Sequence, residues 1–219
     1  MKIKNKYFHG VRCYNNYRGE SDISVRKNNT LNDILHKYEC IFKCGHILPY
    51  NRIKELYGDI DRHPHARNNG EDRISISLHK RNPEQRDIEL LRKNDRYFYY
   101  DENAFSRFIL SGLYSSSIVL NESIKNRYEL IPKGMYLERE VPEPISLKYM
   151  EAISILPNEK LIPYFENEDY IEKYGCLLND DFNLDFIHKL NSLLEKYGYN
   201  VPIINIVTGH EFNKVKKIK

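Results

Sequence analysis

Three short stretches of this chain put reactive side chains at the end of an extended run or alternating along one: His9-Gly10, Ser75-Ile76-Ser77 and Glu138-Arg139-Glu140. They offer an imidazole, a pair of hydroxyls and a pair of carboxylates. Each also has a purely structural reading. His9 would close a strand with its ring bonded to a carbonyl, Ser75 and Ser77 would form the wet face of an edge strand, and acidic pairs two apart are common where 30% of residues are charged. A separate group, Cys40, Cys44 and His46, with His36, His63 or His65 as a fourth member, has the ligand types of a tetrahedral zinc site. Its spacing is loose, and the intervening Ile41-Phe42 suits cysteines packed as small apolar residues, so no metal is expected. With 4 cysteines and 8 histidines, chance pairs abound and no cysteine nucleophile is assigned. There is no phosphate-binding glycine loop.

The elements that must position these residues follow from periodicity and punctuation. Ile3 to Val11 reads as a strand ending on His9 and Gly10, followed by a polar segment from Arg12 to Asn29. Thr30 has the form of an N-cap, with Asp33 three residues on and Leu31, Ile34 and Leu35 on one helical face, which predicts a short helix. Gly45 to Asp72 holds Pro49, Gly58, Pro64 and Gly70 and reads as an irregular surface excursion. Ile74-Ser75-Ile76-Ser77-Leu78 alternates strictly, which predicts a half-buried strand with Ile74, Ile76 and Leu78 inward and both serines outward. Asn82-Pro83 opens a helix to about Lys93, Tyr97 to Tyr100 reads as a strand, and Ala104 to Leu110 as a further helical turn or two. Short strands are expected at Ser116–Leu120, Tyr128–Ile131 and Tyr136–Val141, the last two joined by Pro132-Lys133-Gly134. A short helix over Ser146–Glu151 and a strand over Ile153–Leu156 come next. Ile187, Leu190 and Leu194 then line one helical stripe stopped by Gly198, ahead of a strand over Ile203–Val207. The order is mixed α+β.

The chain of 219 residues is long enough to bury a core without disulfides and reads as a single domain over 1–219, with a core of about 1–160 and a C-terminal helix-strand extension over 161–219. Eighteen tyrosines and nine phenylalanines supply the aromatic bulk that disordered chains lack. A net charge of +3 rules out a strongly polyanion-binding identity on charge alone and permits a local basic patch. No apolar run approaches the length of a membrane helix, so no membrane partner is expected. Met1-Lys2-Ile3-Lys4-Asn5-Lys6 lacks the apolar segment of a secretory signal. Few, irregularly spaced cysteines suit reduced thiols, so the expected location is cytoplasmic, or a target cell reached without a classical signal peptide. The oligomeric state is not legible.

In their order, and on extended segments of an α+β chain, Tyr7-Phe8-His9-Gly10, Leu31-Asn32-Asp33-Ile34-Leu35 and Glu140-Val141 followed by Pro144-Ile145-Ser146-Leu147-Lys148-Tyr149-Met150-Glu151-Ala152-Ile153 resemble the ADP-ribosyltransferase superfamily, in particular its PARP-like and DarT-like branches. The resemblance spans roughly Tyr7 to Leu156. It implies a split, mostly antiparallel sheet with flanking helices, NAD as co-substrate, and transfer of ADP-ribose to a macromolecular acceptor, protein or nucleic acid, as in a toxin or effector. It further implies that His9 bonds the adenosine ribose, that Gly10 lets the backbone grip the nicotinamide amide, and that Glu140 orients the nicotinamide ribose and stabilises its developing positive charge. Ser75 and Ser77 match the Ser-x-Ser strand of another branch, where the hydroxyls support the glutamate and a Glu-x-Glu pair, here Glu138 and Glu140, goes with transfer to arginine. The sequence departs in having Val11 after His-Gly, and it does not choose a stacking tyrosine among Tyr97, Tyr99 and Tyr100. A glycohydrolase, with water as acceptor, is the close variant. A noncatalytic interaction or inhibitor protein with a tyrosine-rich surface is the rival, and nucleic-acid binding through the Lys214–Lys219 tail ranks third.

Overall fold

Alternating isoleucine and serine make Ile74–Leu78 a strand, and neighbours on both sides bring it inside a sheet. The structure, a computed structural model, describes residues 4–12, 23–57, 73–78, 115–132, 138–155, 180–205 and 209–213. Among them the chain is α+β. The strands are β1 (Tyr7–Arg12), β2 (His46–Ile47), β3 (Ile74–Leu78), β4 (Ser115–Leu120), β5 (Ile131–Pro132), β6 (Glu138–Val141), β7 (Ile145–Ser146), β8 (Met150–Ile155) and β9 (Ile203–Asn205). The helices are α1 (Ile23–Cys44), α2 (Tyr50–Tyr57) and α3 (Asp180–Lys196).

Seven strands form one sheet in the order β5-β6-β3-β1-β4-β8-β9, and β2 pairs with β7 in a second, small one. Every neighbouring pair in the large sheet is antiparallel except β8 and β9. Its register is uneven. Pairing of β1 with β4 runs from Tyr7↔Leu120 to Arg12↔Ser115, and pairing of β3 with β6 from Ile74↔Val141 to Ser77↔Glu138. Between β1 and β3 the partners are Tyr7↔Leu78 and Phe8↔Ser77 alone, so the two strands part company at His9.

Helix α1 covers the face carrying Val11 and its register partner Ser116. Its buried stripe of Leu31, Ile34, Tyr38 and Phe42 keeps the spacing of one helical face. Tyr38 is fully buried and its hydroxyl meets Ser116 Oγ at 2.6 Å. Helix α3 lies against α1 through Phe186, whose ring centroid is 6.2 Å from that of Tyr38. Lys196 Nζ and the Tyr197 hydroxyl both donate to Glu39 Oε1, at 2.6 and 3.0 Å, tying the end of α3 to α1.

Several local expectations are corrected. Thr30 does not begin a helix: α1 already runs from Ile23, and the end of the polar segment from Arg12 to Asn29 is helical. A cap pattern is a local preference, whereas adding residues to a helix that has already nucleated is cheap. The stretch after Gly45 is not wholly irregular, since β2 and α2 lie within it. Tyr128 to Leu130 is not strand, and extended pairing begins only at Ile131, in β5. A 3-10 turn over Glu122–Asn126, capped by Asn121, comes before, and Tyr128 is buried with its hydroxyl accepting from Ser146 N at 2.9 Å. Ser146 caps a 3-10 turn of three residues, Leu147–Tyr149, and Glu151 is already in β8. On β3, Ser77 is buried and Leu78 half-buried, because cover reaches both faces there. The expected elements over 82–93, 97–100 and 104–110 lie outside the described residues.

Candidate functional site

Strands β1, β3 and β6 are consecutive in the sheet, and each carries one of the stretches singled out from the sequence. Register sets their relation. Ser75 stands opposite Glu140, and Ser77 opposite Glu138. Opposed residues share a face and so do residues two apart, so the two hydroxyls and two carboxylates project from the same side of the sheet. Phe8, opposite Ser77, belongs to that side, together with Gly10.

Strict alternation sends His9 to the other side, with Tyr7 and Val11. Its unbroken pairing with β4, His9↔Ile118, keeps His9 on that side, and the parting of β1 from β3 leaves a gap into which its ring leans. Phe8 and Ser77 are the last paired residues, and the Ser75 carbonyl, which a continuous ladder would satisfy with a main-chain N–H of β1, receives the imidazole instead. His9 Nδ1 lies 2.9 Å from Ser75 O. A carbonyl only accepts, so Nδ1 carries the proton and Nε2 faces away from that bond. The sequence-level possibility of a ring bonded to a carbonyl is therefore realised, across the strand boundary rather than within β1.

Glu140 is half-buried and ion-paired: Arg73 Nη1 lies 3.3 Å from its Oε2. Glu138 and Arg139 are half-buried as well, and Arg139 Nη1 donates to the Glu138 carbonyl at 2.9 Å. Ser75 is half-buried and Ser77 buried. Three strands thus bring Ser75, Ser77, Glu138 and Glu140 to one side and hang His9 on the backbone of Ser75. Arg73 was not singled out from the sequence. Its signal was its place two residues before Ser75, in the alternation that carries the serines.

The cysteine-histidine group does not converge. Cys44 Sγ donates to the carbonyls of Ile41 and His46, and His46 Nδ1 is turned to Cys44 O at 2.9 Å. Cys40 is buried with Sγ 3.8 Å from His36 Nε2, and burial pushes its thiol up, opposite to what a nucleophile needs. Among the described residues no group of three or more His, Cys, Asp or Glu is disposed to hold a metal ion. His63, His65, Tyr97, Tyr99, Tyr100 and the Lys214–Lys219 tail lie outside the described residues.

No family model, curated protein or solved structure matches the chain. Among the described residues no helix is long and apolar enough to cross a membrane.

Proposed function

We propose that this chain binds NAD where β1 and β3 part and transfers its ADP-ribose to a macromolecular acceptor, on a split sheet of the ADP-ribosyltransferase kind. The observation that carries the reading is the double role of Ser75: it opposes Glu140 in register and its carbonyl anchors His9. Residues far apart in sequence, chosen for their chemistry, are linked through one residue. The divergence of β1 from β3 after Phe8 and Ser77 supports the split sheet.

The chemistry follows from the groups present. The bond that breaks joins the nicotinamide nitrogen to its ribose carbon, and the bonding pair leaves with nicotinamide. Positive charge then builds on the sugar, and the Glu140 carboxylate stabilises it, an electrostatic effect strongest in a partly dehydrated site. His9, with Nδ1 committed to Ser75, presents Nε2 toward a sugar hydroxyl. Glu138, on the same face, acts as the base at the acceptor: the acceptor's nucleophile attacks the sugar carbon and its proton passes to the Glu138 carboxylate. Ser75 and Ser77 hold the strand that carries the site.

Incubating the whole chain with NAD and following nicotinamide release, with labelled NAD to find an acceptor, tests the reading. Nicotinamide and a labelled macromolecule are expected. Free ADP-ribose as the sole sugar product converts the proposal into a glycohydrolase. Neither NAD binding nor turnover abandons it in favour of a noncatalytic interaction protein.

A further inference from the structure

Arg73 precedes β3 by one residue, and alternation places it on the face of Ser75 and Ser77. Because Ser75 opposes Glu140, Arg73 is the diagonal neighbour of that carboxylate, a separation long side chains cross readily. Nη1 and Oε2 meet at 3.3 Å, with the side chains 27% and 17% exposed. Two simple purposes fit poorly. As a staple between strands the pair adds little, since β3 and β6 are already in register from Ile74↔Val141 to Ser77↔Glu138 and a partly solvated ion pair contributes modestly. As an ordinary surface contact it is too far withdrawn from water.

A third purpose fits the geometry. Strand β6 projects two carboxylates from one side, Glu138 and Glu140, roughly 6–7 Å apart along the strand. Their repulsion and the rotamer freedom of glutamate work against either being held in one place. The guanidinium beside Glu140 offsets that repulsion and selects one arrangement, while the Arg139 guanidinium is turned to the Glu138 main chain. We infer that Arg73 is a positioning residue, holding the Glu140 carboxylate where the nicotinamide ribose must meet it. The inference rests on the NAD reading above. It makes Arg73 act through Glu140, and that distinguishes it from an arginine that binds the dinucleotide phosphates directly.

The test uses the whole chain and measures kcat and KM for nicotinamide release, with thermal midpoints, in the wild type, Arg73→Ala, Arg73→Lys, Glu140→Gln and the double variant Arg73→Ala with Glu140→Gln. A displaced catalytic group costs up to about 100-fold, so Arg73→Ala is expected to lower kcat about 10- to 100-fold at little-changed KM. Arg73→Lys, which keeps the charge, should recover most of the loss. In the Glu140→Gln background Arg73→Ala should add nothing, because two residues acting as a unit are not additive. A rise in KM at unchanged kcat overturns the inference by making Arg73 a ligand for NAD. An equal loss in the Glu140→Gln background overturns it too, as does a loss of kcat matched by a fall in thermal midpoint. If Arg73→Ala does not fold, Arg73→Gln and Arg73→Lys are compared: equal activity in the two overturns the positioning role of the charge, and a deficit in the glutamine variant alone upholds it. A wild-type chain that neither binds nor turns over NAD removes the parent reading and this one with it. An active wild type unaffected by Arg73→Ala removes this one alone.

Discussion

The main-chain carbonyl of Ser75 accepts the Nδ1 proton of His9 at 2.9 Å, at the point where β1 and β3 cease to pair. That bond replaces a ladder contact with a side-chain contact. It holds the imidazole at the strand boundary, on the residue that faces Glu140.

Replacing Glu140 with glutamine keeps the shape and removes the charge. Loss of one preorganised electrostatic group costs about 100- to 1,000-fold in turnover. Nicotinamide release by Glu140→Gln is expected to fall by that factor, with the far-ultraviolet spectrum of the wild type retained. Unchanged turnover would take Glu140 out of the mechanism.

His9→Ala removes both the bridge to Ser75 and the group offered to the sugar. A ligand at 100 times its Kd stabilises a folded chain by about 2.7 kcal/mol. For a chain of this size that is a rise of about 5–10 °C in Tm. NAD is expected to raise the Tm of the wild type by that much and that of His9→Ala by far less. Equal shifts in the two proteins would show that His9 is not part of the NAD site.

Tyr38 yields a pH prediction. Burial pushes its phenol well above the usual tyrosine range, against a smaller opposite effect of the bond to Ser116. In the unfolded chain the same phenol ionises near the ordinary value of about 10. The unfolded state therefore loses its proton first as pH rises, and the neutral folded form is penalised from there upward. Stability should be flat with respect to this group below about pH 9 and fall above about pH 10. Tyr38→Phe should cost about 1 kcal/mol at neutral pH, through the stranded Ser116 hydroxyl, and flatten the alkaline fall. Urea titrations at pH 7.5 and pH 10.5 measure both, and an equally steep fall in the variant would assign it to other groups.

Gly45 ends α1 with φ of +70°, its N–H reaching the carbonyls of Ile41 at 3.0 Å and Phe42 at 3.2 Å. An added Cβ would meet the Tyr199 hydroxyl at 3.6 Å, an ordinary contact, so the obstacle is conformational rather than steric. Gly45→Ala is expected to cost about 1–2 kcal/mol, and Gly45→Asn less, since asparagine tolerates this region. Thermal denaturation of the two variants checks the ranking. An alanine variant as stable as the wild type would mean that the turn relaxes to negative φ.

Local periodicity was enough for what is local. Strict alternation marked Ile74–Leu78 as a strand, and the stripe of Ile187, Leu190 and Leu194 marked α3, with Gly198 stopping it at φ of +74°. In both, the pattern repeats on the scale of the element itself. The start of α1 was misread because Thr30 and Asp33 imitate a cap, while the helix continues back to Ile23. Tyr128 looked like strand because aromatic residues favour strands, yet its ring packs edge-on to Tyr149, 5.6 Å between centroids, beneath a tight turn.

By itself the sequence determined the mixed α+β class, the chemical types available at His9, Ser75, Ser77, Glu138 and Glu140, and the strand that carries the serines. Only the tertiary structure decided that Ser75 faces Glu140, that His9 reaches across to the Ser75 carbonyl, and that Arg73 closes on Glu140. The reason is that strand order and register join residues far apart in the chain. A shift of one residue would turn every side chain of a strand to the opposite face, and composition and spacing along one strand do not encode which residue of another it meets.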